Sequence, residues 1–199
     1  MGTIKKTNRK YATPSHPWQR SRLEEEKKLV NEYGFKNKKE VWKSSYLLKN
    51  FKGQAKRLIA NVSKQGELEK KQLIDRLRKY GLADENTRME NVLNLSINNI
   101  MDRRLQSIVF RNKLARTIKQ ARQFIIHGHV FVDTRKITTP SYLVTASEES
   151  KIIFDPASSL ASLEHPERAQ LDLSKKAAKE EKRERAKQAT KRRGRDRRR

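Results

Sequence analysis

The chain has 199 residues, of which 48 are Lys or Arg and 23 are Asp or Glu, for a formal net charge of +25. Such a surplus resists compaction unless a polyanion neutralises it, so nucleic acid is the expected partner and an anionic membrane surface the alternative. No run approaches the ~20 consecutive apolar residues that span a bilayer, and the absence of cysteine excludes disulfides and thiolate metal sites, so we expect a soluble, non-secreted protein.

Residues 1–20 predict an extended basic and aromatic arm. Pro14 and Pro17 fix their own φ angles and disfavour helix in the residues before them. We expect the arm to fold onto RNA, with cations on phosphates and rings on bases. The candidate contacts in the arm are Lys5, Lys6, Arg9, Lys10, His16, Trp18 and Arg20. The alternative is a tail whose Trp18 docks on the body of the protein.

Residues 21–102 predict a helical domain. Ser21 and Glu24 have the spacing of a capping box, so the first helix is expected to begin at Ser21 and to end at Gly34. A second helix, starting near Asn37, has apolar residues at intervals of three and four and lysines mostly off that stripe. The stripe consists of Val41, Ser45, Leu48, Phe51, Ala55, Leu58 and Val62. Those lysines are at least as well explained by a solvated helix face as by RNA contact.

Two further helices complete this prediction. A third is expected from Gly66 to Tyr80, with Gly81 as its left-handed cap. A fourth, capped by Ser96, is expected to continue through Val109 with one buried seam. Arg104 and Arg111 are seven residues apart and are expected to share another face of that helix.

Residues 103–154 predict a small module of two helices on a short antiparallel sheet. Thr117 is a suitable N-cap, and the helix after it has an apolar face opposite Lys119, Arg122 and Gln123, which are expected to be exposed. Gly128 is expected to end this helix. Extended segments follow at residues 129–133, 137–144 and 151–154, with a turn at 133–136. The candidate RNA contacts in the module are Arg103, Arg104, Arg111, Lys113, Arg116, Lys119, Gln120, Arg122, His127 and His129.

Catalytic, metal and cofactor sites are not expected. His127 and His129 flank a glycine, but only two other histidines and no cysteine are available to complete a metal site. The glycines are scattered and form no phosphate-binding loop. Residues 155–173 are expected to form a linker that wraps over the body. Residues 174–199 contain 14 Lys and Arg against four acidic residues and are expected to be disordered without RNA.

The module resembles the S4 RNA-binding domain. The residues that carry the resemblance are Arg103, Leu114, Ala115, Arg116, Thr117, Gln120, Ala121, Arg122, His127, Gly128, His129, Val130, Pro140, Ser141 and Tyr142. Together with His16, Pro17, Trp18 and the basic tail, they make residues 1–170 similar to small-subunit ribosomal proteins of the S4 family in their archaeal and eukaryotic form. The chain departs from the pattern at residues 133–136, where a turn with Asn and Gly is usual.

The resemblance implies a non-enzymatic α+β protein, mainly helical, that is a cytoplasmic, structural constituent of the small ribosomal subunit. It implies primary binding of 16S-type ribosomal RNA in the 5′ domain, early in assembly, by a monomer within the subunit. It also implies contacts with messenger RNA at the entry path and with the S5-family protein, and a contribution to translational accuracy. Implied RNA-facing residues are Arg103, Arg104, Arg116, Lys119, Gln120, Arg122, His127 and His129, and implied core residues are Ile118, Ala121, Ile125, Val130 and Val132.

Two other classes of protein share such a module. One is a non-ribosomal S4-domain factor of the stress or ribosome-rescue type, and the other is a fragment of an S4-domain RNA-modifying enzyme. An enzyme would need a separate catalytic domain of ~100 to 200 residues, and residues 1–99 offer only charged helices. Basic segments at both ends of the chain favour a protein permanently embedded in RNA.

Overall fold

Helices dominate the computed structural model, which describes residues 9–84, 87–162, 165 and 167. In these residues the helices are α1 Arg20–Glu32, α2 Lys38–Ile59, α3 Lys64–Lys79, α4 Met89–Leu93, α5 Ile97–Asp102, α6 Leu105–Arg111 and α7 Ile118–Ile126. The strands are β1 Val130–Val132, β2 Arg135–Lys136 and β3 Ile152–Phe154. The expected fold class, mainly helical with a small antiparallel sheet, is confirmed.

The first helix begins one residue before the predicted Ser21 and lacks the capping box. It starts at Arg20 after Gln19, and no side chain caps its N-terminus. Glu24 instead accepts a hydrogen bond from Arg20 Nε at 2.8 Å, an i,i+4 pair that engages the carboxylate the box would need. The predicted end is correct, because Gly34 follows the last turn with a φ of +60°.

The apolar stripe of α2 is rotated and shorter than predicted. Val41, Phe51, Ala55 and Leu58 are buried as expected, and Leu48 is half-buried. Ser45 is exposed, whereas Ser44 is buried and donates its hydroxyl to the Glu40 carbonyl at 3.2 Å. Val62 lies beyond the end of the helix and is 85% exposed, because α2 stops at Ile59.

The third helix starts two residues before the predicted Gly66. Ser63 is its N-cap and accepts a hydrogen bond from the Gly66 amide at 3.0 Å. A serine hydroxyl satisfies a free amide of the first turn, which fixes the start at Lys64. The predicted closure is correct, since Gly81 has a φ of +65°. The short helix α4, with Met89 and Val92 buried, was not predicted.

The predicted helix from Ser96 to Val109 is two helices, α5 and α6. The helix is interrupted at Arg103 and Arg104 because backbone groups at this point form hydrogen bonds with a later segment of the chain. The Val144 amide donates to the Arg103 carbonyl at 3.0 Å, and the Leu105 amide donates to the Tyr142 carbonyl at 2.8 Å. The segment 137–144, predicted to be extended, therefore divides between two partners. Residues 140–144 pair with this break, whereas the Ile137 amide continues the pairing with β1 by donating to the Val130 carbonyl at 3.3 Å.

The sheet has the strand order β2-β1-β3 with antiparallel neighbours. Its inner face is buried and packs against α6 and α7, and consists of Val130, Val132, Ile152 and Phe154. Asp133 adopts a φ of +58° in the two-residue turn between β1 and β2. Asp is among the few side chains that tolerate this region, so it replaces the usual Asn and Gly.

Three apolar clusters hold these elements together. The first fills the module between α6, α7 and the sheet. The second lies among α2, α3, α4 and α5. The third joins α1 to α5 through Tyr33, Phe35, Val41 and Met101. Among the implied core residues, Ala121, Ile125, Val130 and Val132 are buried and Ile118 is half-buried against the third cluster.

Gly128 ends α7 as predicted, with a φ of +74°. Its amide donates to the Ile125 carbonyl at 3.0 Å, and the His129 amide donates to the Phe124 carbonyl at 2.9 Å. These two bonds form a Schellman motif, which needs a left-handed residue at the position of Gly128. The motif turns the chain from the helix directly into β1.

We expect Gly128→Ala to destabilise the protein and Gly53→Ala to stabilise it. At Gly128 a methyl group meets a left-handed φ and lies 2.3 Å from the Lys136 Cε atom, so the free energy of unfolding should fall by about 1 to 2 kcal/mol. Gly53 is inside α2, and no atom from elsewhere in the protein lies near a methyl group added there. The free energy of unfolding of Gly53→Ala should therefore rise by about 0.5 to 1 kcal/mol. Urea unfolding of both variants measures this, and equal shifts would contradict the assignment of strain at Gly128.

Candidate RNA-binding surface

Helix α7 presents one side to solvent and the other to the core of the module. Its N-cap is Thr117, as predicted, which accepts a hydrogen bond from the Gln120 amide at 3.1 Å. Ala121 and Ile125 are fully buried. The exposed side carries Lys119 and Gln123, as predicted. This helix therefore displays a short polar and cationic strip.

Arg122 is not on that strip, so its predicted exposure is wrong. Its guanidinium donates to both carboxylate oxygens of Glu40, at 2.8 and 3.2 Å, and only 20% of its side chain is exposed. Glu40 lies in the first turn of α2. The ion pair therefore joins α7 to the N-terminal helices, a contact that helical periodicity in α7 cannot reveal.

Arg104 binds the same carboxylate. Its Nη2 atom lies 2.6 Å from Glu40 Oε2, and its side chain is 5% exposed. The guanidinium also stacks over the Phe35 ring, 4.7 Å from its centroid, a favourable cation–π geometry. The prediction that Arg104 shares an exposed face with Arg111 is wrong, because the break between α5 and α6 turns Arg104 inward.

Arg103 also has a carboxylate partner. Its Nη1 atom lies 2.6 Å from Glu149 Oε2, and its Nη2 atom donates to the Val144 carbonyl at 3.4 Å. Only 11% of this side chain is exposed. Arg103 thus connects the helix break to the loop before β3, and has little surface left for a phosphate.

The charges around Glu40 stabilise its ionised form. Burial alone would raise the pKa of this carboxyl group, but hydrogen bonds from Arg122 and the charges of Arg122 and Arg104 lower the pKa below its ordinary value. Glu40 is therefore an anion at neutral pH and neutralises part of the charge of both arginines.

The remaining cations of the module that were predicted to face RNA are at the surface. Lys113, Arg116 and Lys119 are exposed along the loop between α6 and α7 and the first turn of α7. Lys113 has a φ of +61°, so the tight turn after α6 holds its backbone. Arg111 is half-exposed, with its Nη2 atom 3.5 Å from Asp102 Oδ1.

The two histidines of the module lie at the other end of α7. Their rings are stacked, with centroids 6.3 Å apart. His127 is exposed, whereas His129 is half-buried and its Nδ1 atom lies 2.8 Å from Ser158 Oγ. His127 therefore has ring surface open to a ligand, and the half-buried His129 ring stacks against it.

Gln120 is half-buried and engaged on both ends of its amide. Its oxygen accepts a hydrogen bond from the Arg116 backbone amide at 2.7 Å, and its nitrogen donates to Glu167 Oε2 at 2.7 Å. A residue of the predicted linker thus contacts the start of α7.

The described part of the arm leaves its predicted contacts at the surface. Arg9, Lys10, His16 and Arg20 are exposed, and Arg20 pairs with Glu24. Trp18 is 90% exposed, so the alternative in which it docks on the body is wrong. Lys5 and Lys6, and the whole basic tail 174–199, lie outside the described residues.

Sequence reasoning missed two residues that organise the module. Glu40 carries no site motif, and the only signal is a lone acid among the lysines that open α2. Gln106 is 1% exposed, and its amide nitrogen donates to the carbonyls of Tyr33, Gly34 and Ile118 at 3.2, 3.3 and 3.0 Å. A buried amide with three long-range partners leaves no trace in local periodicity.

The described residues contain neither a metal-binding group of side chains nor a helix that could span a membrane. Within residues 9–84 and 87–162, together with 165 and 167, no three His, Cys, Asp or Glu side chains group in a way that could hold a metal ion. In the same residues, no helix is both long and apolar enough to cross a membrane.

Comparison with known proteins identifies the module and then the whole chain. Residues 103–150 match the model of the S4 domain. A small ribosomal subunit protein uS4 from Methanococcus aeolicus is 48% identical over 169 residues, which is 84% of this chain and 96% of the relative. A protein of the same name from Methanococcus maripaludis strain C5 is 44% identical over 84% of this chain and 95% of the relative. The chain therefore belongs to the uS4 family of small ribosomal subunit proteins, and the predicted resemblance is confirmed.

We expect Glu40→Gln to destabilise the protein near neutral pH. The substitution keeps the side-chain volume but leaves two largely buried arginines without a counter-charge, so the free energy of unfolding should fall by about 3 kcal/mol. Because folding lowers the Glu40 pKa from 4.5, this contribution is complete above that pH and is lost as pH falls through the folded value. Urea unfolding of both proteins between about pH 7 and pH 3 measures the difference.

The matched control is Glu24→Gln, which removes an equal charge from an exposed pair whose side chains are 92% and 59% exposed. Exposed pairs contribute little, so this variant should unfold almost like the parent protein at every pH. A Glu40→Gln variant as stable as the parent near neutral pH would show that the two arginines do not depend on this carboxylate.

Proposed function

We propose that this protein is a structural constituent of the small ribosomal subunit and binds 16S-type ribosomal RNA directly. The observation that carries the proposal is the cationic strip of the S4 domain, defined from here on as Lys113, Arg116 and Lys119, together with the exposed ring of His127 at the other end of α7. These side chains are exposed on a loop and a helix that capping bonds hold in place. A rigid cationic surface can follow an irregular phosphate backbone by shape, as proteins that bind folded RNA do.

The proposed contacts divide the predicted residues into two groups. Lys113, Arg116, Lys119 and His127 contact RNA, with Arg111 and His129 at the margins of the strip. The exposed arm residues extend the contact. Arg103, Arg104 and Arg122 hold the strip in position through Glu149 and Glu40 and do not contact phosphates themselves, because their guanidinium groups already have carboxylate partners. Gln120 acts with this second group.

The proposal includes finer expectations for the family. The RNA site lies in the 5′ domain and is bound early in assembly, and the protein acts as a monomer within the cytoplasmic subunit. It contacts messenger RNA at the entry path and the S5-family protein, and contributes to translational accuracy. Residues 21–102 act as a helical domain beside the module 103–154, with an arm at 1–20, a linker at 155–173 and a tail at 174–199. The function is non-enzymatic.

A free S4-domain factor or a fragment of an RNA-modifying enzyme is the rival proposal. The relatives named as small ribosomal subunit proteins match this chain over 95 and 96% of their own length. That similarity includes the helical residues before the S4 domain, which supports the ribosomal function over either rival.

Filter binding of the purified chain tests the proposal. One RNA is a fragment of the ribosomal 5′ domain and the other is a duplex of equal length, both titrated across a salt series. We expect the fragment to bind more tightly at moderate salt, and both affinities to fall with salt through counterion release. Equal affinities would leave only a generic polyanion binder and would contradict the ribosomal proposal.

We expect Lys113→Gln combined with Lys119→Gln to weaken binding to the fragment without unfolding the protein. Each lost phosphate contact should lower the slope of log affinity against log salt by about 0.7 to 0.9. Arg122→Gln should instead lower the free energy of unfolding, since it separates α7 from Glu40. Circular dichroism melts and filter binding of both variants distinguish the two roles. The assignment fails if the double lysine variant binds with an unchanged slope.

A further inference from the structure

The N-terminal arm lies along a groove between α1 and α2. The groove has a volume of about 590 Å³, and residues 12–14 of the arm line it together with Leu29, Val41 and Trp42. The Tyr11 ring packs near the Trp42 ring, with centroids 6.1 Å apart. The described part of the arm is therefore attached to the helices before the chain reaches Trp18.

A second attachment lies immediately before Trp18. The Arg22 Nη2 atom donates to the carbonyls of His16 and Pro17, at 3.1 and 2.7 Å. Only 22% of the Arg22 side chain is exposed. One guanidinium thus fixes two consecutive backbone carbonyls, which determines the direction in which the chain enters Trp18.

Arg22 is itself held by a buried carboxylate. Its Nη1 atom donates to Glu26, which is 6% exposed. The Trp42 indole nitrogen also donates to Glu26, at 2.9 Å, and the Lys38 Nζ atom lies 3.7 Å from this carboxylate. This arrangement of Arg22, Glu26, Trp42 and Lys38, which we call the arm clamp, uses four side chains to immobilise the two residues before an indole.

The indole itself is not covered by the described residues of the protein. Trp18 is 90% exposed, although burying an aromatic side chain of this size is normally strongly favourable. All its neighbours from Ser15 to Ser21 are exposed, and none is a large apolar residue. A protein interface would need a contiguous apolar patch, whereas one isolated ring suits a single flat ligand.

The charge around the arm selects that ligand. Arg9, Lys10 and Arg20 are exposed in the same segment, on a chain with a net charge of +25. An aromatic ring beside a basic segment is the usual platform for an unpaired nucleobase, with the cations on the flanking phosphates. Paired bases in an intact helix have no free face for such a ring.

We propose that Trp18 stacks on an unpaired base of the RNA, and that Arg22 is a positioning residue that presents the indole for this contact. The inference rests on the proposed function, and it adds a second recognition point, of a different chemistry, on the α1 and α2 side of the protein. The cationic strip contacts phosphates, whereas the arm contacts a base that the fold of the RNA leaves unpaired.

Fluorescence tests the contact directly, because the chain contains only two tryptophans. The difference between the parent protein and Trp18→Phe isolates the emission of Trp18 and leaves the Trp42 contact with Glu26 intact. We expect the ribosomal fragment to quench this emission and to protect it from acrylamide, and the duplex of equal length to do neither. Filter binding of the same samples measures total affinity separately.

Affinity measurements on variants test the role of each residue. Trp18→Ala should weaken binding of the fragment about tenfold and Trp18→Phe less, since the smaller ring still stacks. Arg22→Lys keeps the charge beside Glu26 but lacks the planar fork that holds this carboxylate with one nitrogen and both carbonyls with the other. It should therefore reduce protection of Trp18 while the protein stays folded. Arg57→Ala is the control for loss of charge, because Arg57 is exposed and lies 15 residues, about 22 Å, along α2 from Trp42.

The outcomes separate this inference from the proposed function. If the fragment binds more tightly than the duplex while Trp18 stays as accessible as in the free protein, the inference is wrong and the proposed function stands. Trp18 would also stay accessible if its natural partner were another protein, because the mixture contains only this protein and RNA. Equal protection by the duplex would also overturn the inference. Equal affinity for fragment and duplex would count against the proposed function, and filter binding reports that independently of the fluorescence.

Discussion

One carboxylate, that of Glu40, connects the N-terminal helices to the S4 domain through two ion pairs. It lies in the first turn of α2 and is shared by Arg104, from the break between α5 and α6, and by Arg122, from α7. Desolvating three ionised groups is costly unless each finds a partner. Because this pairing needs all three elements at fixed positions, the cationic strip has a fixed orientation relative to α1 and α2.

Although the chain has a large surplus of positive charge, some of its cations are buried in ion pairs inside the protein. Arg22, Arg103, Arg104 and Arg122 each contact a carboxylate and are largely buried. Arginine suits this use, since its planar fork binds a carboxylate with two bonds and stacks on aromatic rings. The lysines of the loop before α7 and of its first turn remain at the surface. We infer that the internal arginines stabilise the shape and that the external lysines contact RNA.

The prediction from sequence was most accurate where local rules govern the chain. Thr117 caps α7 and Gly128 ends it, because side-chain capping and left-handed backbone involve residues no more than a few positions apart. The buried face with Ala121 and Ile125 follows from helical period alone. The resemblance to the S4 domain rests on the same short segment, and the match over residues 103–150 confirms it.

The prediction failed where distant segments meet. Periodicity placed Arg122 in solvent, yet it pairs with a residue 82 positions earlier in the chain. It also predicted one helix through Arg104, where backbone hydrogen bonds to residues 140–144 interrupt the helix. By itself the sequence determined the cap and buried face of α7, the glycines that end α1, α3 and α7, the cationic composition and the family. Only the tertiary structure decided which arginines are internal and that Trp18 is exposed, because long-range ion pairs and backbone contacts form between segments whose separation in the chain does not fix their distance in space.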